Sequence, residues 1–276
     1  FFTVDSAPTV RGYKGEIWLL IGMNPGGTLL DISIVFHNEP FGYFSIDRPE
    51  FIEQFRGKSV LDRLTVGDDI DAVKAAVEAE GRRARIVHFD VAERETVKAV
   101  LEADIAEHGC YYGVVCNAGI TADKPFPALT GEDWDGVLRT NLDGFYNVLH
   151  PLVMPMIQRR RPGRIVALSS MSGLIGNRGQ VNYSAAKAGV IGLTKGMAKE
   201  LIEDGIFVNC VTPAMTETGL LDEMTDEYIS MVKAKIPMGR LCRIPEIADM
   251  VAWIAGPEGT FTTGAVFDLS GGRATY

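Results

Sequence analysis

Tyr112–Cys116, YGVVC, reads as a strand without polar alternation, the pattern expected where helices cover both faces of a parallel sheet. Working outward from it, helix and strand alternate. Arg94–His108 precedes it as a helix, and Ala84–Asp90 (ARIVHFD) as a strand behind a helix tail, Lys74–Glu80, that stops at Gly81. After it, Glu132–Gln158 forms one long helix, with Trp134, Val137, Leu138, Leu142, Phe145, Val148 and Leu149 along a single apolar face. Strand Arg164–Leu168, helix Tyr183–Glu203, strand Phe207–Val211, two helical stretches and strand Ala265–Leu269 follow. This alternation predicts a Rossmann-like, doubly wound parallel α/β sheet over residues 74–276.

The texture differs before residue 74. Glu16–Met23 (EIWLLIGM) and Leu29–His37 (LLDISIVFH) are strand-like, with Asn24-Pro25-Gly26-Gly27 between them as a turn. That order predicts an antiparallel hairpin. A loop with Pro40, Gly42 and Pro49 leads to a short helix around Phe51–Phe55. The chain therefore divides into a β-rich segment, 1–73, and an α/β domain, 74–276.

Composition narrows the function classes. The 276 residues are 46% apolar and 23% charged, enough for a substantial core. A net charge of −9 argues against nucleic acid or an anionic membrane as the main partner. No run has the length of a membrane span, and none reads as a signal peptide. The chain begins at Phe1 rather than Met, as a fragment, a processed product or an engineered chain would. Cys110, Cys116, Cys210 and Cys242 show neither C-x-x-C pairing nor a His at metal spacing. No metal site is expected. Two of the four lie in apolar strands, which fits small core residues in a reducing, cytoplasmic compartment.

Tyr183 and Lys187 stand four residues apart at a helix start, so their side chains share one face. An ammonium close to a phenol favours the phenolate and draws its pKa down toward working pH, which makes a general acid/base for an alcohol oxygen. Ser170, at the end of a strand, can hold the same oxygen. Alone, Tyr-x-x-x-Lys also describes two ordinary residues on a solvated face. The surrounding motifs decide between these. They are Asn117-Ala118-Gly119 after YGVVC, Asn141 in the next helix, Ser170 thirteen residues before Tyr183, the run Asn182–Gly189 (NYSAAKAG), and Val208–Pro213 (VNCVTP). The set resembles the short-chain dehydrogenase/reductase family over residues 74–276. Within it, residues 85–200 look most like 3-oxoacyl-[acyl-carrier-protein] reductases. The ending from Gly264 looks more like the sugar-acid dehydrogenase branch.

The resemblance implies roles. Tyr183 is the proton donor in reduction, and Lys187 lowers its pKa while binding the nicotinamide ribose of NADP or NAD. Ser170 orients the carbonyl, and Asn141 anchors a water chain to Lys187. Asp90 and Val91 sit beside the adenine, and Asn117, Ala118 and Gly119 let the backbone approach the cofactor. Pro213, Thr216 and Thr218 flank the nicotinamide. Outside that resemblance, Asp90 equally suits a cap for the next helix, and Gly119 a turn.

One family feature is missing. The glycine-rich turn that cradles a pyrophosphate opens a helix, whereas Gly22–Thr28 leads into β-branched LLDISIVFH. Residues 12–73 instead resemble FMN-binding domains of sodium-pumping quinone reductases, through GYKGEIWLLIGMNPGGTLLDISIVFHNEPFGYF and GKSVLDRLTVGDDIDAV. The flavin-bearing threonine motif of that family does not follow, so FMN is not expected. The expectation is a chimera whose reductase part lacks its first β-α-β unit. YGVVC then loses a neighbour, and dinucleotide binding is weak or absent.

Three functions compete: an NAD(P)H-dependent reductase of a ketone, such as a carrier-bound 3-oxoacyl chain; a catalytically silent protein; and a flavin-binding module. Arg159-Arg160-Arg161 suits docking of an acidic acyl carrier, or simply cations at a helix C-terminus. The family resemblance implies a homodimer or homotetramer.

Overall fold

A computed structural model describes the backbone of residues 18–23 and 29–36, and residues 77–78, 82–217 and 225–274 in full. Residues up to Ile86 form one compact unit and those from Val87 a second. In the first unit, β1 (Trp18–Met23) and β2 (Leu29–Phe36) pair antiparallel, with Ile21 opposite Ile32. Residues 24–28 are their whole connection, too short for the crossover that parallel strands require. The expected hairpin is therefore present. The short helix around Phe51–Phe55 and most of Lys74–Glu80 lie outside the described residues.

The second unit is the α/β domain. Its elements are α1 (Arg94–His108), β3 (Gly113–Cys116), α2 (Gly131–Leu138), α3 (Gly144–Gln158), β4 (Gly163–Leu168), α4 (Met171–Ile175), α5 (Val181–Leu201), β5 (Ile206–Pro213), β6 (Thr216–Glu217), α6 (Asp226–Ala234), β7 (Cys242–Arg243), α7 (Ile244–Ala255) and β8 (Val266–Leu269). A four-stranded sheet runs β3-β4-β5-β8, parallel throughout, with Val114 opposite Ile165 and Ile165 opposite Val208. A two-residue ladder joins β6 and β7.

The double winding can be read along β4. Ile165 and Ala167 point to a layer holding Phe145, Leu149 and Met156 of α3 with Val190, Ile191 and Ala198 of α5. Val166 and Leu168 point the other way, to Ile254, Ile247 and Met250 of α7. Successive strand side chains face opposite sides, so a run that is apolar at every position satisfies two layers at once. Each such side chain contributes about 1.5–3 kcal/mol on burial. Cys116 and Cys210 are buried on strands, and all four cysteines are free thiols.

Three sequence expectations change. YGVVC is covered on one face only: Val114 and Cys116 join the α3/α5 layer, while Val115 is 48% exposed. Among the described residues β3 pairs with β4 alone, and it forms the sheet edge. Ala84–Asp90 is not a strand. A strand needs a ladder, and no described strand offers one to these residues. The long helix Glu132–Gln158 is interrupted by a π turn, Arg139–Asp143, between α2 and α3. Thr130 starts α2 with a capping box to Asp133.

Candidate active site

The C-terminal ends of parallel strands are where open α/β sheets bind ligands, and the candidate residues gather there. Asn117, Ala118 and Gly119 follow β3, Ser170 follows β4 and Pro213 ends β5. The π turn, a device frequent at functional sites, carries Asn141. Its fully buried side chain accepts from Ile120 N at 2.7 Å and donates to Ile120 O at 2.7 Å. A backbone pair at a strand end, which would otherwise lack partners, is thereby satisfied. Gly119 lies against this group: a Cβ there would stand 3.4 Å from Asn141 Oδ1 and 3.4 Å from Lys187 Nζ.

Ser170 is the N-cap of α4, its Oγ accepting from Ser172 N at 3.1 Å, and its hydroxyl interacts with the Tyr183 phenol. Tyr183 and Lys187 lie on the first turns of α5, and Lys187 is only 3% exposed. Its Nζ donates to Leu168 O at 2.7 Å and sits 5.7 Å from the Tyr183 ring centre. Serine, phenol, ammonium and carboxamide thus share one pocket end.

Their electrostatics differ from the sequence expectation. Burial pushes the Tyr183 phenol above its ordinary value; the Ser170 hydroxyl opposes this and the Asp123 carboxylate adds to it. Lys187 does not act as the depressing charge. Burial pulls its own pKa down to about 8, against the partial pull of Cys210 and Cys116. The ammonium spends one of its three donors on the Leu168 carbonyl, and its charge is not among the influences on the phenol.

At the adenine end, Asp90 accepts from Ala92 N at 2.8 Å, shaping the turn into α1, while Glu93 occupies the N-cap position. Val91 packs on Gly144, and its carbonyl accepts from buried Asn147 at 2.9 Å. Both residues are committed to local structure. Thr216 Oγ1 donates to Ala214 O at 3.1 Å, and Thr218 lies outside the described residues. Arg159, the residue that follows α3, donates to Tyr111 O and Pro162 O, so its guanidinium ties the helix end to the flanking loops.

Polar residues unflagged by the sequence hold the site together. Asn182, fully buried just ahead of Tyr183, donates to Ala122 O and Asp133 O at 3.1 Å each and accepts from Tyr183 N. The available signal was an amide immediately before the candidate acid. Gly173 lets α4 touch α5: an added Cβ would meet the Lys187 carbonyl carbon at 2.7 Å and Ala188 N at 2.9 Å. Backbone cannot yield as a flexible side chain can. Gly173→Ala is expected to cost about 1–3 kcal/mol in urea unfolding by overpacking. It should also lower any turnover by roughly tenfold or more, since Ser170 moves relative to Tyr183.

Comparison with known proteins now bears on this arrangement. A family model described as Enoyl-(Acyl carrier protein) reductase matches residues 63–274. The 3-oxoacyl-[acyl-carrier-protein] reductase of Aggregatibacter actinomycetemcomitans is 53% identical over 207 residues, 74% of this chain and 84% of that protein. The chain belongs to the short-chain dehydrogenase/reductase family. Two further reductases of the same printed name, from Thermotoga maritima and Escherichia coli, are 38% and 35% identical over 71% and 79% of this chain, and 80% and 87% of their own lengths. The match to this short-chain dehydrogenase/reductase begins at residue 63, ahead of the change in texture near 74. It thus enters the segment first compared with FMN-binding domains. No described helix is long and apolar enough to cross a membrane.

Proposed function

We propose that this chain is an NAD(P)H-dependent reductase that converts a 3-oxoacyl thioester, carried on an acidic acyl-carrier protein, to the 3-hydroxy compound. The observation that carries the reading is the convergence of Ser170, Tyr183, Lys187 and Asn141 at the C-terminal edge of the sheet. The reductases of that name among its relatives support the substrate class. A cytoplasmic setting and a homodimer or homotetramer belong to the same proposal.

The residues fit the nicotinamide–ribose end of a dinucleotide. Gly119 leaves Lys187 Nζ and the Asn141 carboxamide approachable where a side chain would fill the space. When bound, the dinucleotide supplies the hydride. Tyr183 donates its proton to the substrate oxygen, and a phenol held above its ordinary pKa is protonated and ready to do so across the neutral range. Ser170 donates a hydrogen bond to that same oxygen as charge develops on it. Lys187, with Asn141 behind it, donates to a ribose hydroxyl and can return a proton toward Tyr183. Asn117, Ala118, Pro213 and Thr216 complete the walls.

At the pyrophosphate end no glycine-rich turn opening a helix is found among the described residues, since β1 leads to an antiparallel partner. We read the residues ahead of 63, the greater part of the segment 12–73, as foreign to the reductase and joined to it in a chimera, with no bound FMN. Loss of the phosphate-binding amides predicts dinucleotide dissociation constants near the millimolar range. Titration with NADPH and NADH, followed by quenching of tryptophan fluorescence, tests this. Binding of neither at several millimolar would overturn the enzyme reading in favour of a catalytically silent protein. A yellow preparation releasing flavin would favour the third reading.

A further inference from the structure

Asp123 was not among the residues picked out from the sequence, yet the structure fixes it at the start of the helix that carries Tyr183. The loop that bears it is anchored on both sides. Asn182 Nδ2 donates to Ala122 O at 3.1 Å, and Lys124 N donates to Gly179 O at 2.8 Å. These two bonds set residue 123 over residues 179–182. The carboxylate itself accepts from Gln180 Nε2 at 2.7 Å. Gln180 is held in turn, its Oε1 accepting from Ser172 Oγ at 3.1 Å and from Asn177 Nδ2 at 2.9 Å. Ser172 N donates to Ser170 Oγ. One continuous chain of hydrogen bonds therefore runs from Asp123 through Gln180 and Ser172 to Ser170.

We propose that Asp123 is a positioning residue of this reaction: a carboxylate anchored by Gln180 beside the Tyr183 phenol, which biases the proton-donating site toward reduction. The inference rests on Tyr183 as the acid. A negative charge facing a phenol disfavours the phenolate, so the proton stays on Tyr183 until a carbonyl oxygen takes it. The reverse reaction needs the phenolate and is held back by the same charge. Bonds and charges balance: the Tyr183 O–H bond breaks as the substrate O–H bond forms, and Asp123 exchanges nothing.

The other charged and titratable groups around the phenol leave Asp123 as the outstanding anion. Lys124 of the same loop is paired with buried Asp133 of α2 at 2.6 Å. Lys187 of α5 is directed to the Leu168 carbonyl. The thiols of Cys116 on β3 and Cys210 on β5 are pushed up by burial, to about 12 and about 11, and remain neutral. Ser170 and Ser172 contribute uncharged hydroxyls. The Asp123 carboxylate adds an upward push on Tyr183, smaller than that of burial and than the opposing pull of the Ser170 hydroxyl.

Asp123→Asn removes the charge and keeps the shape, and its carboxamide oxygen still accepts from Gln180. The readout is tyrosinate absorbance against pH, taken as the difference from Tyr183→Phe so that one phenol is followed. In Asp123→Asn the Tyr183 titration is expected to move down by at least about half a pH unit. Asp123→Glu should restore it, and where a cofactor turns over, the alkaline decline of reduction should begin at a lower pH in the Asn variant. An unmoved titration in Asp123→Asn overturns the inference even if Tyr183→Phe abolishes turnover. Turnover surviving in Tyr183→Phe overturns the activity reading instead, with the absorbance shift still measurable. Should the Asn variant not fold, Asp123→Ser, which also removes the charge, is read in its place: a lowered Tyr183 titration counts for the electrostatic role, and an unmoved one counts against it.

Discussion

Replacing Tyr183 by Phe is expected to lower kcat roughly a thousandfold, in the upper part of the range for loss of a positioned general acid. Only one oxygen is removed. The phenylalanine ring keeps its place on the first turn of α5, and the Ser170 hydroxyl retains Ser172 N as a partner. The unfolding midpoint should therefore shift by less than about 1 kcal/mol. Nucleotide quenching should be unchanged, because the dinucleotide contacts assigned to Lys187, Asn141 and Gly119 remain. The pH profile carries further information. Because burial and Asp123 hold the phenol above its ordinary value, reduction should stay level through neutral pH and decline only on the alkaline side. Oxidation of the alcohol should climb over the same alkaline range. Reduction in Tyr183→Phe at more than a tenth of the original rate would remove Tyr183 from the proton-transfer step.

Much of this was legible because it depends on periodicity and spacing. Helix Arg94–His108 matches its predicted bounds, the strand around Arg164–Leu168 extends by one residue, and that around Phe207–Val211 extends by three. The helix–strand alternation called for two covering layers, and about Ile165–Leu168 of β4 they are supplied by α3 and α5 on one side and α7 on the other. The antiparallel pairing of Trp18–Met23 with Leu29–Phe36 was legible from the Pro and paired Gly between them. Properties that depend on a third element were not. Ala84–Asp90 has strand propensity but no ladder, and propensity alone does not make a strand. The π turn around Asn141 answers to the orphaned amide and carbonyl of Ile120, twenty-one residues away. Likewise the sense of the Tyr183 shift depends on where Lys187 points, and i,i+4 spacing fixes a shared face without fixing a direction.

The two halves of the site differ for a related reason. Residues proposed to hold the nicotinamide end come from the ends of β3, β4 and β5 and from α5, all built on the parallel sheet. Residues that would hold the phosphates belong to the family's first turn, in the strand that would flank β3. In this chain β3 is an edge among the described residues, with Val115 exposed. The catalytic chemistry and the cofactor's anchor are thus separable at β3. A protein with the first and without the second should show intact Tyr183 chemistry and poor dinucleotide affinity, which is the combination proposed.

Lys187→Met is expected to stabilise the fold while removing activity. Lys187 is almost fully buried, with one hydrogen bond, to Leu168 O. Burial lowers its pKa from an ordinary 10.5 to about 8. Between those two values the unfolded chain binds the extra proton and the folded chain does not, so this group makes stability rise as pH increases from 8 to 10.5. Below pH 8 both states are protonated, and the full penalty, roughly 3 kcal/mol, applies at pH 7. Methionine fills a similar volume with no charge to desolvate, and leaving the Leu168 carbonyl unpaired returns about 1–2 kcal/mol of the gain. The net expectation is a variant about 1–2 kcal/mol more stable at pH 7 by urea unfolding, and the advantage should shrink steadily above pH 8. Cys116 and Cys210, held by burial at about 12 and about 11, stay protonated in the folded state of either protein below pH 10, so their coupling to Lys187 alters the difference little over that range. The energy held in the buried ammonium is what a functional lysine at this position costs the fold. A methionine variant less stable than the original at pH 7, or a difference independent of pH between 7 and 10, would show that Lys187 is not the strained group that its burial makes it.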